Sequence, residues 1–450
     1  MNNDASKKAA FSRRDFVKQG SLLAGGLAAA PLLSRANYFS GADDTIKIAL
    51  IGCGGRGTGA ASQALSTKQN VKLVAMCDAF RDNLDNCYKA LVSEDPGDPN
   101  GKPTAFKNRV DVPESRKFTG FDGYKKAIAL ADVVILATPP GFRPMHFDEA
   151  IKQNKHVFME KPVATDPAGV QAVLATAALA KQKKLNVVVG LQRHYQESYR
   201  ELFKRKDMIG DITSMQAWWN NDGVWVRPRK DGQTEMEYQM RNWYYFVWLC
   251  GDHITEQHIH NLDVINWFKG GYPVRAQGLG GRQVRKGKEN GEIFDHHYVE
   301  FEYADGSLLN SQCRHIPGTM SRVDELLVGT KGKIHCGAAR ITDPAGSTIY
   351  QFPDKRNEPN PYQTEHDELF AAIAKGEYKF ADAENGAKSS MTSILGRMAT
   401  YSGQMVEWDK AINSGLDLHP KAYDWNAETP VKPNADGYYA AAIPGVTKYV

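Results

Sequence analysis

From Ile46 onward, short apolar runs alternate with stretches of helical period, and the alternation is regular. Ile46–Ile51 predicts a strand, Thr58–Ser66 a helix, Val71–Cys77 a second strand and Ala79–Val92 a second helix. Residues 93–113 are rich in Pro, Gly, Asp and Asn and read as an inserted loop. The pattern then resumes, with a helix over Asp122–Leu130 and an unbroken apolar strand over Ala131–Ala137. A helix over Pro144–Gln153, a strand over His156–Met159 and an Ala-rich helix over Pro167–Lys183 follow, the last with Asp166 as its N-cap. Asn186–Val189 closes the unit as a strand. Such βα alternation predicts a parallel, doubly wound sheet over residues 44–190.

Past about Gly190 the period changes. Helices are expected at Glu197–Lys206, Asp252–Trp267 and Gln363–Lys375, and over Glu384–Lys410 with breaks at Gly386, Gly396 and Gly403. Strands are expected at Thr213–Trp219, His297–Tyr303, Ser307–Cys313 and Glu325–Gly329, with Ala304-Asp305-Gly306 turning one into the next. Residues 191–420 therefore predict an α+β domain on a large open, mostly antiparallel sheet, and residues 421–450 an extension beyond it. The broad sheet face offers a surface for homo-oligomers.

Composition changes this picture little. A chain of 450 residues can bury two cores, and 42% hydrophobic with 24% charged is ordinary for a globular protein. The net charge of +4 gives no general basic surface, which argues against nucleic acid as a partner. Aromatic residues concentrate between Trp218 and Trp267, as for a lined pocket. Cysteines 53, 77, 87, 250, 313 and 336 lack CxxC spacing and read as reduced.

The N-terminus changes the picture more. Ser12-Arg13-Arg14-Asp15-Phe16-Val17-Lys18 precedes an apolar stretch, Ser21–Leu33, that is too short to span a bilayer. With Ser34-Arg35-Ala36 after it, residues 1–36 read as a twin-arginine (Tat) signal peptide, so the Tat export machinery is an expected partner and the periplasm the expected location. Proteins that use this route fold before they leave the cell.

Three groups of residues carry chemistry. Gly52-Cys53-Gly54-Gly55-Arg56-Gly57 lies between a predicted strand and helix, the context in which GxGxxG binds a dinucleotide pyrophosphate. Gly52, Gly54, Gly55, Arg56 and Gly57 are thus candidate cofactor residues. Asp78 ends the second strand, where a carboxylate binds ribose hydroxyls and repels a 2′-phosphate, so NAD is expected over NADP, with Arg81 as a reservation. Glu160-Lys161-Pro162 follows the strand His156–Met159, and a Lys at a strand's carboxyl end can stabilise a developing alkoxide. In Gly251–Trp267, Glu256, His260 and Asp263 would share one helix face, setting a carboxylate beside a possible base. The spacing of His253, His258 and His260 suits a metal poorly, and none is expected. Arg193, His194 and Tyr195, after the last strand, are candidate substrate contacts, as are Trp243 and Tyr244, since aromatic faces stack on sugar rings.

With these groups in place, the chain resembles the Gfo/Idh/MocA oxidoreductases from about Ile46 to Asp409. Ala137-Thr138-Pro139-Pro140 with His146, and Lys155-His156-Val157 before Glu160-Lys161-Pro162, extend the likeness. The resemblance implies a Rossmann domain followed by an open-sheet domain, with Lys161 holding the reacting hydroxyl and His260 as the catalytic histidine. It also implies that Thr138, Pro139, His146 and Glu160 line the nicotinamide half of the site, close to Lys161. Many members carry Asp where this chain has Glu256, one C–C bond longer. The chain also resembles a secreted subgroup acting on sugars and glycosides. Hydride transfer between NAD and a carbohydrate or polyol is therefore the expected activity. The alternatives are a redox-neutral glycoside hydrolase, lyase or epimerase with recycled NAD, and a catalytically silent sugar sensor. One branch of the subgroup performs net hydrolysis but departs from Glu-Lys-Pro, which this chain keeps.

Overall fold

The computed structural model describes residues 44–93 and 106–448, so the expected signal peptide and residues 94–105 of the expected loop lie outside it. Six parallel strands form the first sheet: β1 (Ile46–Ile51), β2 (Val71–Asp78), β3 (Lys117–Thr119), β4 (Val133–Leu136), β5 (His156–Met159) and β6 (Val187–Val189). Their order is β3-β2-β1-β4-β5-β6, so the chain reverses direction between β1 and β4. Ligands bind at such a switch point, outside the carboxyl ends of the strands. The crossovers carry α1 (Gly55–Leu65), α2 (Arg81–Val92), α3 (Gly123–Ala129), α4 (Arg143–Lys152) and α5 (Pro167–Gln182). Asp166 caps α5 as expected, accepting the Gly169 N–H at 2.7 Å. β3 is missing from the sequence expectation because three residues carry too little period to register.

The second half runs α6 (Glu197–Lys204), β7 (Ile212–Asn221), α7 (Glu235–Arg241), α8 (Val247–Cys250), α9 (His253–Glu256) and α10 (Ile259–Lys269). Strands β8 (Arg275–Gly281), β9 (His296–Glu302), β10 (Leu308–His315), β11 (Arg322–Gly329), β12 (Gly332–His335), β13 (Arg340–Thr342) and β14 (Thr348–Gln351) follow. The chain then forms α11 (Pro361–Ala374), α12 (Ala383–Ser402), β15 (Val406–Glu407) and α13 (Trp408–Ile412). The nine-stranded sheet is ordered β14-β13-β12-β11-β7-β10-β9-β8-β15. It is antiparallel except at β7–β10, and the expected 304–306 hairpin joins β9 to β10.

Alternation along its strands gives the sheet one buried face. Met215, Ala217, Val299, Phe301, Leu309 and Leu327 point into a core shared with Leu262, Ile265, Met391 and Leu395 of α10 and α12. α11 returns to the first half, placing Leu369, Phe370 and Ile373 in the core behind β1 and β2.

Two helix expectations fail in instructive ways. Gly386 and Gly396 do not break α12. A Cβ at Gly386 would press on Val189 at 3.0 Å, and one at Gly396 on Phe301 at 2.8 Å, so both mark close packing. The break comes at Gly403, whose φ of +69° ends the helix. The expected helix Asp252–Trp267 is two helices, separated at Gln257-His258. Among the described residues no helix is long and apolar enough to cross a membrane.

Candidate active site

The glycine turn sits at the carboxyl end of β1. Gly52 has φ +97°, and a Cβ there would lie 2.5 Å from the Ala137 carbonyl carbon and the Thr138 nitrogen. A Cβ on Gly57 would meet the Gly52 oxygen at 1.9 Å, so this glycine lets α1 close onto the turn. Gly54 and Gly55 differ: a Cβ on either meets nothing within 4 Å. Gly54 is the N-cap of α1 and supplies no side-chain cap, leaving the first N–H groups of the helix directed at that open space.

That space is part of a cleft of about 300 Å³ lined by Gly52, Gly54, Gly55, Arg56, Asp78, Thr138, Pro139 and His146. Eight of the residues singled out for the cofactor thus meet around one cavity. Asp78 is 8% exposed and accepts the Cys53 N–H at 2.7 Å, the Phe80 N–H at 2.9 Å and Asn83 Nδ2 at 3.2 Å. Burial pushes its carboxyl pKa up, against these donors. Arg56, at the cleft wall, is held by polar partners. Its Nε lies 2.5 Å from Glu160 Oε1, and its Nη2 is 3.1 Å from Gln63 Oε1.

The β4–α4 loop is fixed by a residue that sequence reasoning missed. Arg143, 1% exposed, donates to the carbonyls of Leu136 (2.9 Å) and Thr138 (2.8 Å), which positions Thr138 and Pro139 at the cleft. Thr138 Oγ1 in turn lies 3.1 Å from His146 Nδ1. Burial, aided by the Arg143 charge, pushes His146 down to about 3, so it stays neutral.

Beyond Glu160, the second group assembles across the two halves. Lys161 Nζ donates to the Glu256 carbonyl at 2.5 Å and to its Oε1 at 3.2 Å. Glu256 Oε2 is buried and has no partner among the described residues. Burial raises the Glu256 carboxyl pKa, against the pull of Lys161. His260 stacks on Trp219, ring centroids 5.8 Å apart at 23°. Its buried Nδ1 is likewise without a partner among the described residues. Burial, with the charges of Lys161, Arg193 and Arg56, holds its imidazole well below the ordinary range. A neutral imidazole, an ammonium and a carboxylate with one free oxygen therefore stand together.

Because the helix breaks at Gln257-His258, Glu256 and His260 reach the site from separate helices. Asp263 turns away, accepting from His194 (2.8 Å), Asn385 (2.9 Å) and Ser389 (2.8 Å), and holds α10 against α12. Gln257, at the break, accepts the Trp219 indole N–H at 2.8 Å.

The expected substrate contacts divide. Tyr195 does not face the cleft: it is 4% exposed, donates to Asp382 Oδ2 at 2.8 Å and packs on Phe380 in the first-half core. Its residue type suits a binding site, but one turn past β6 points it under the sheet. His194 is likewise turned away, bound to Asp263 and packed at a tilt against Trp267, ring centroids 4.3 Å apart. Arg193 is ion-paired with Glu325, so its guanidinium is committed. Tyr244 is 2% exposed, with its hydroxyl unpartnered among the described residues and its pKa raised by burial and the Glu256 charge. Trp243 lines the cleft, joined there by Trp225, Arg227, Met240 and Arg241. No sequence signal marks the last three, because they face the glycine turn from the opposite half.

The residues fit a dinucleotide. Clear space stands over two glycines, helix N–H groups point into it, and a buried carboxylate closes the far end. No comparable fit to a metal was expected, although Asp252, His253 and His297 bring one ligand atom each within 4.8 Å of one another.

Comparison with known proteins adds to this geometry. Residues 46–191 match the GFO_IDH_MocA model, described as an oxidoreductase family with an NAD-binding Rossmann fold. An inositol 2-dehydrogenase of Gluconacetobacter diazotrophicus is 30% identical over 169 residues, covering 37% of this chain and 44% of that protein. A glycosyl hydrolase family 109 protein of Solibacter usitatus is 27% identical over 215 residues, covering 47% and 46%. The chain thus spans less than half the length of these two relatives. Among solved structures, scyllo-inositol dehydrogenase of Lactobacillus casei with bound NAD(H) and scyllo-inositol superposes with a TM-score of 0.60 at 19% identity, over 81% of this chain and all of that one. At that identity the likeness shows the fold: a Rossmann half followed by an open-sheet half.

Proposed function

We propose that this chain, whose residues 46–191 match the GFO_IDH_MocA model, is a Gfo/Idh/MocA oxidoreductase, an NAD-dependent dehydrogenase or reductase acting on a hydroxyl or keto group of a carbohydrate or polyol. The observation that carries this reading is the Lys161–Glu256 pair between the two halves, with His260 close enough to feel the Lys161 charge, joined to the dinucleotide cleft through Glu160, which Arg56 of the cleft wall binds. The N–H groups following Gly54 would hold the pyrophosphate, Asp78 a ribose, and Thr138, Pro139 and His146 the nicotinamide half. The bound cofactor supplies the hydride acceptor or donor. The chain's own residues do the rest. His260, kept neutral by its surroundings, takes the hydroxyl proton, and Lys161 stabilises the developing alkoxide. Glu256 holds Lys161 in place and offers Oε2 to a neighbouring hydroxyl donor.

The ribose end supports NAD over NADP. Arg81 is engaged by Asp85 and Glu114, and Arg241 by both oxygens of Asp82, so neither guanidinium is free for a 2′-phosphate that Asp78 would also repel. The test is absorbance at the reduced-nicotinamide band when the purified protein meets a panel of sugars and inositols. No spectral change with any of them, with NAD bound, would overturn the reading.

A redox-neutral cycle is the second reading, favoured by the relative named as a glycosyl hydrolase family 109 protein. Oxidation acidifies a neighbouring C–H bond, which permits elimination, addition of water and re-reduction. Many turnovers of a glycoside to free sugar without added NAD would establish it in place of net oxidation. The Arg13-Arg14 leader supports Tat export to the periplasm, testable by cell fractionation of the Arg13→Lys, Arg14→Lys variant. Exposed Leu279 and Tyr298 on the open sheet face support a homo-oligomer, which Leu279→Lys should weaken in sedimentation.

A further inference from the structure

The dinucleotide cleft has two walls, and only one belongs to the Rossmann half. Opposite the glycine turn stand Trp225, Arg227, Met240, Arg241 and Trp243. These residues form one unit. The Arg227 N–H is held by Asn242 Oδ1 at 2.9 Å, the Arg227 guanidinium lies 4.7 Å from the Trp225 ring centroid, and Trp225 packs edge-on to Trp243 at 5.8 Å. Asn242 is fully buried and also donates to the Glu289 carbonyl at 2.7 Å, which ties the unit to the second half.

The unit is latched to the other wall at the ribose end. Arg241 reaches Asp82 at the start of α2 with two bonds of 3.0 and 3.1 Å, and its guanidinium lies 3.9 Å from the centroid of Phe80, itself a cleft residue.

A second tie runs outside. After α13 the chain turns back over the Rossmann half, where the Leu418 N–H donates to Asp166 Oδ2 at 2.8 Å. Tyr423 and Trp425 then pack behind the three phenylalanines that line the cleft. Trp425 lies 5.3 Å from Phe80 and 4.7 Å from Phe121, and Tyr423 5.4 Å from Phe142. Farther on, the same segment binds α7: Gln239 Nε2 donates to the Val431 carbonyl at 2.7 Å, and Tyr439 donates to Glu235 Oε1 at 2.5 Å. The C-terminal segment therefore grips both walls of one cleft.

We propose that residues 222–243 complete the dinucleotide site and that the Arg241–Asp82 latch and the strap from Leu418 to Tyr439 keep the cofactor from exchanging during turnover. Arg227 supplies the cationic group facing the pyrophosphate at the N-terminus of α1, and Trp225 and Trp243 give the cofactor an apolar cover on the side away from the sheet. Leaving requires the latch or the strap to open, so release is slow whatever the intrinsic affinity. This inference rests on the reading that the cleft holds a dinucleotide, and it gives that reading a consequence: each turnover must return the cofactor to its starting state in place, by a second substrate or within one redox-neutral cycle.

The experiment loads the full-length protein with isotopically labelled NAD, adds excess unlabelled NAD, and follows retained label by mass spectrometry after rapid gel filtration. The unaltered protein should keep its label through many turnover times. Asp82→Asn, which removes the charge of the latch, and Trp425→Ala, which removes the strap's packing, should each speed loss about tenfold or more. A melting transition like that of the unaltered protein shows that each variant is folded. Label lost within seconds from the unaltered protein, or lost at one rate from all three, would overturn the inference while leaving dinucleotide binding intact. Failure to bind NAD at any concentration would overturn the underlying reading as well.

Discussion

Gly54 and Gly57 belong to one turn, yet a methyl group would act oppositely at the two positions. At Gly57 it meets the Gly52 oxygen at 1.9 Å, so Gly57→Ala should cost about 2 kcal/mol of stability or more, read by denaturant unfolding. At Gly54 it meets no protein atom within 4 Å, so Gly54→Ala should melt like the unaltered protein and lose NAD affinity in calorimetric titration. At the reacting end, Lys161→Ala and His260→Ala should each lower kcat about a hundredfold or more while NAD stays bound. Unchanged turnover in both would rule out their roles. His260 also sets a pH dependence. A base works only when neutral, and burial, with nearby positive charges, depresses its pKa, so the acid limb of kcat/KM should fall below the ordinary histidine value of about 6.5. A limb at or above that value would contradict its assignment. The glycine turn was legible because residue type and sequence neighbours suffice to mark it. Tyr195 was misread because type alone does not say which side of the sheet a residue faces.

At the scale of elements, the break between α9 and α10 matters most. A continuous helix would have set Glu256, His260 and Asp263 in one row, as the 3.6-residue period suggested. The break instead frees Glu256 to meet Lys161, and Gln257 between the helices takes the Trp219 indole that backs His260. Asp263 then becomes a fastener. Its three donors are largely buried, so Asp263→Ala should cost about 3 kcal/mol in denaturant unfolding, by leaving them unpaired. Helical period survives such a break in sequence, because both segments bury the same kind of side chain. The glycines of α12 mislead for the converse reason: helix propensity counts Gly386 and Gly396 against the helix, whereas their contacts with Val189 and Phe301 admit nothing larger.

The whole molecule carries a set of buried neutral histidines. Burial pushes His146 and His258 down to about 3, and His156 and His253 to about 4. Unfolded, each takes a proton below about pH 6.5, so the unfolded state gains protons that the folded state refuses. The stability that these histidines contribute should therefore decline as pH falls from about 6.5 toward 4, opposed by His194, whose pKa Asp263 raises against burial, and by Glu292, whose carboxyl burial pushes up to about 7. Melting temperatures that hold level across that interval would show these groups to be already charged in the folded protein. The parallel first sheet, the open second sheet and the glycine turn with Asp78 could be read from the chain itself, because period and turn chemistry are local. The far wall of the cleft could not. Arg227, Arg241 and Trp425 carry no local signal, since what they do depends on segments more than a hundred residues away being folded against them. Only the packing of the two halves decided that the cleft is lined from both sides, and that Lys161 of one half meets Glu256 of the other.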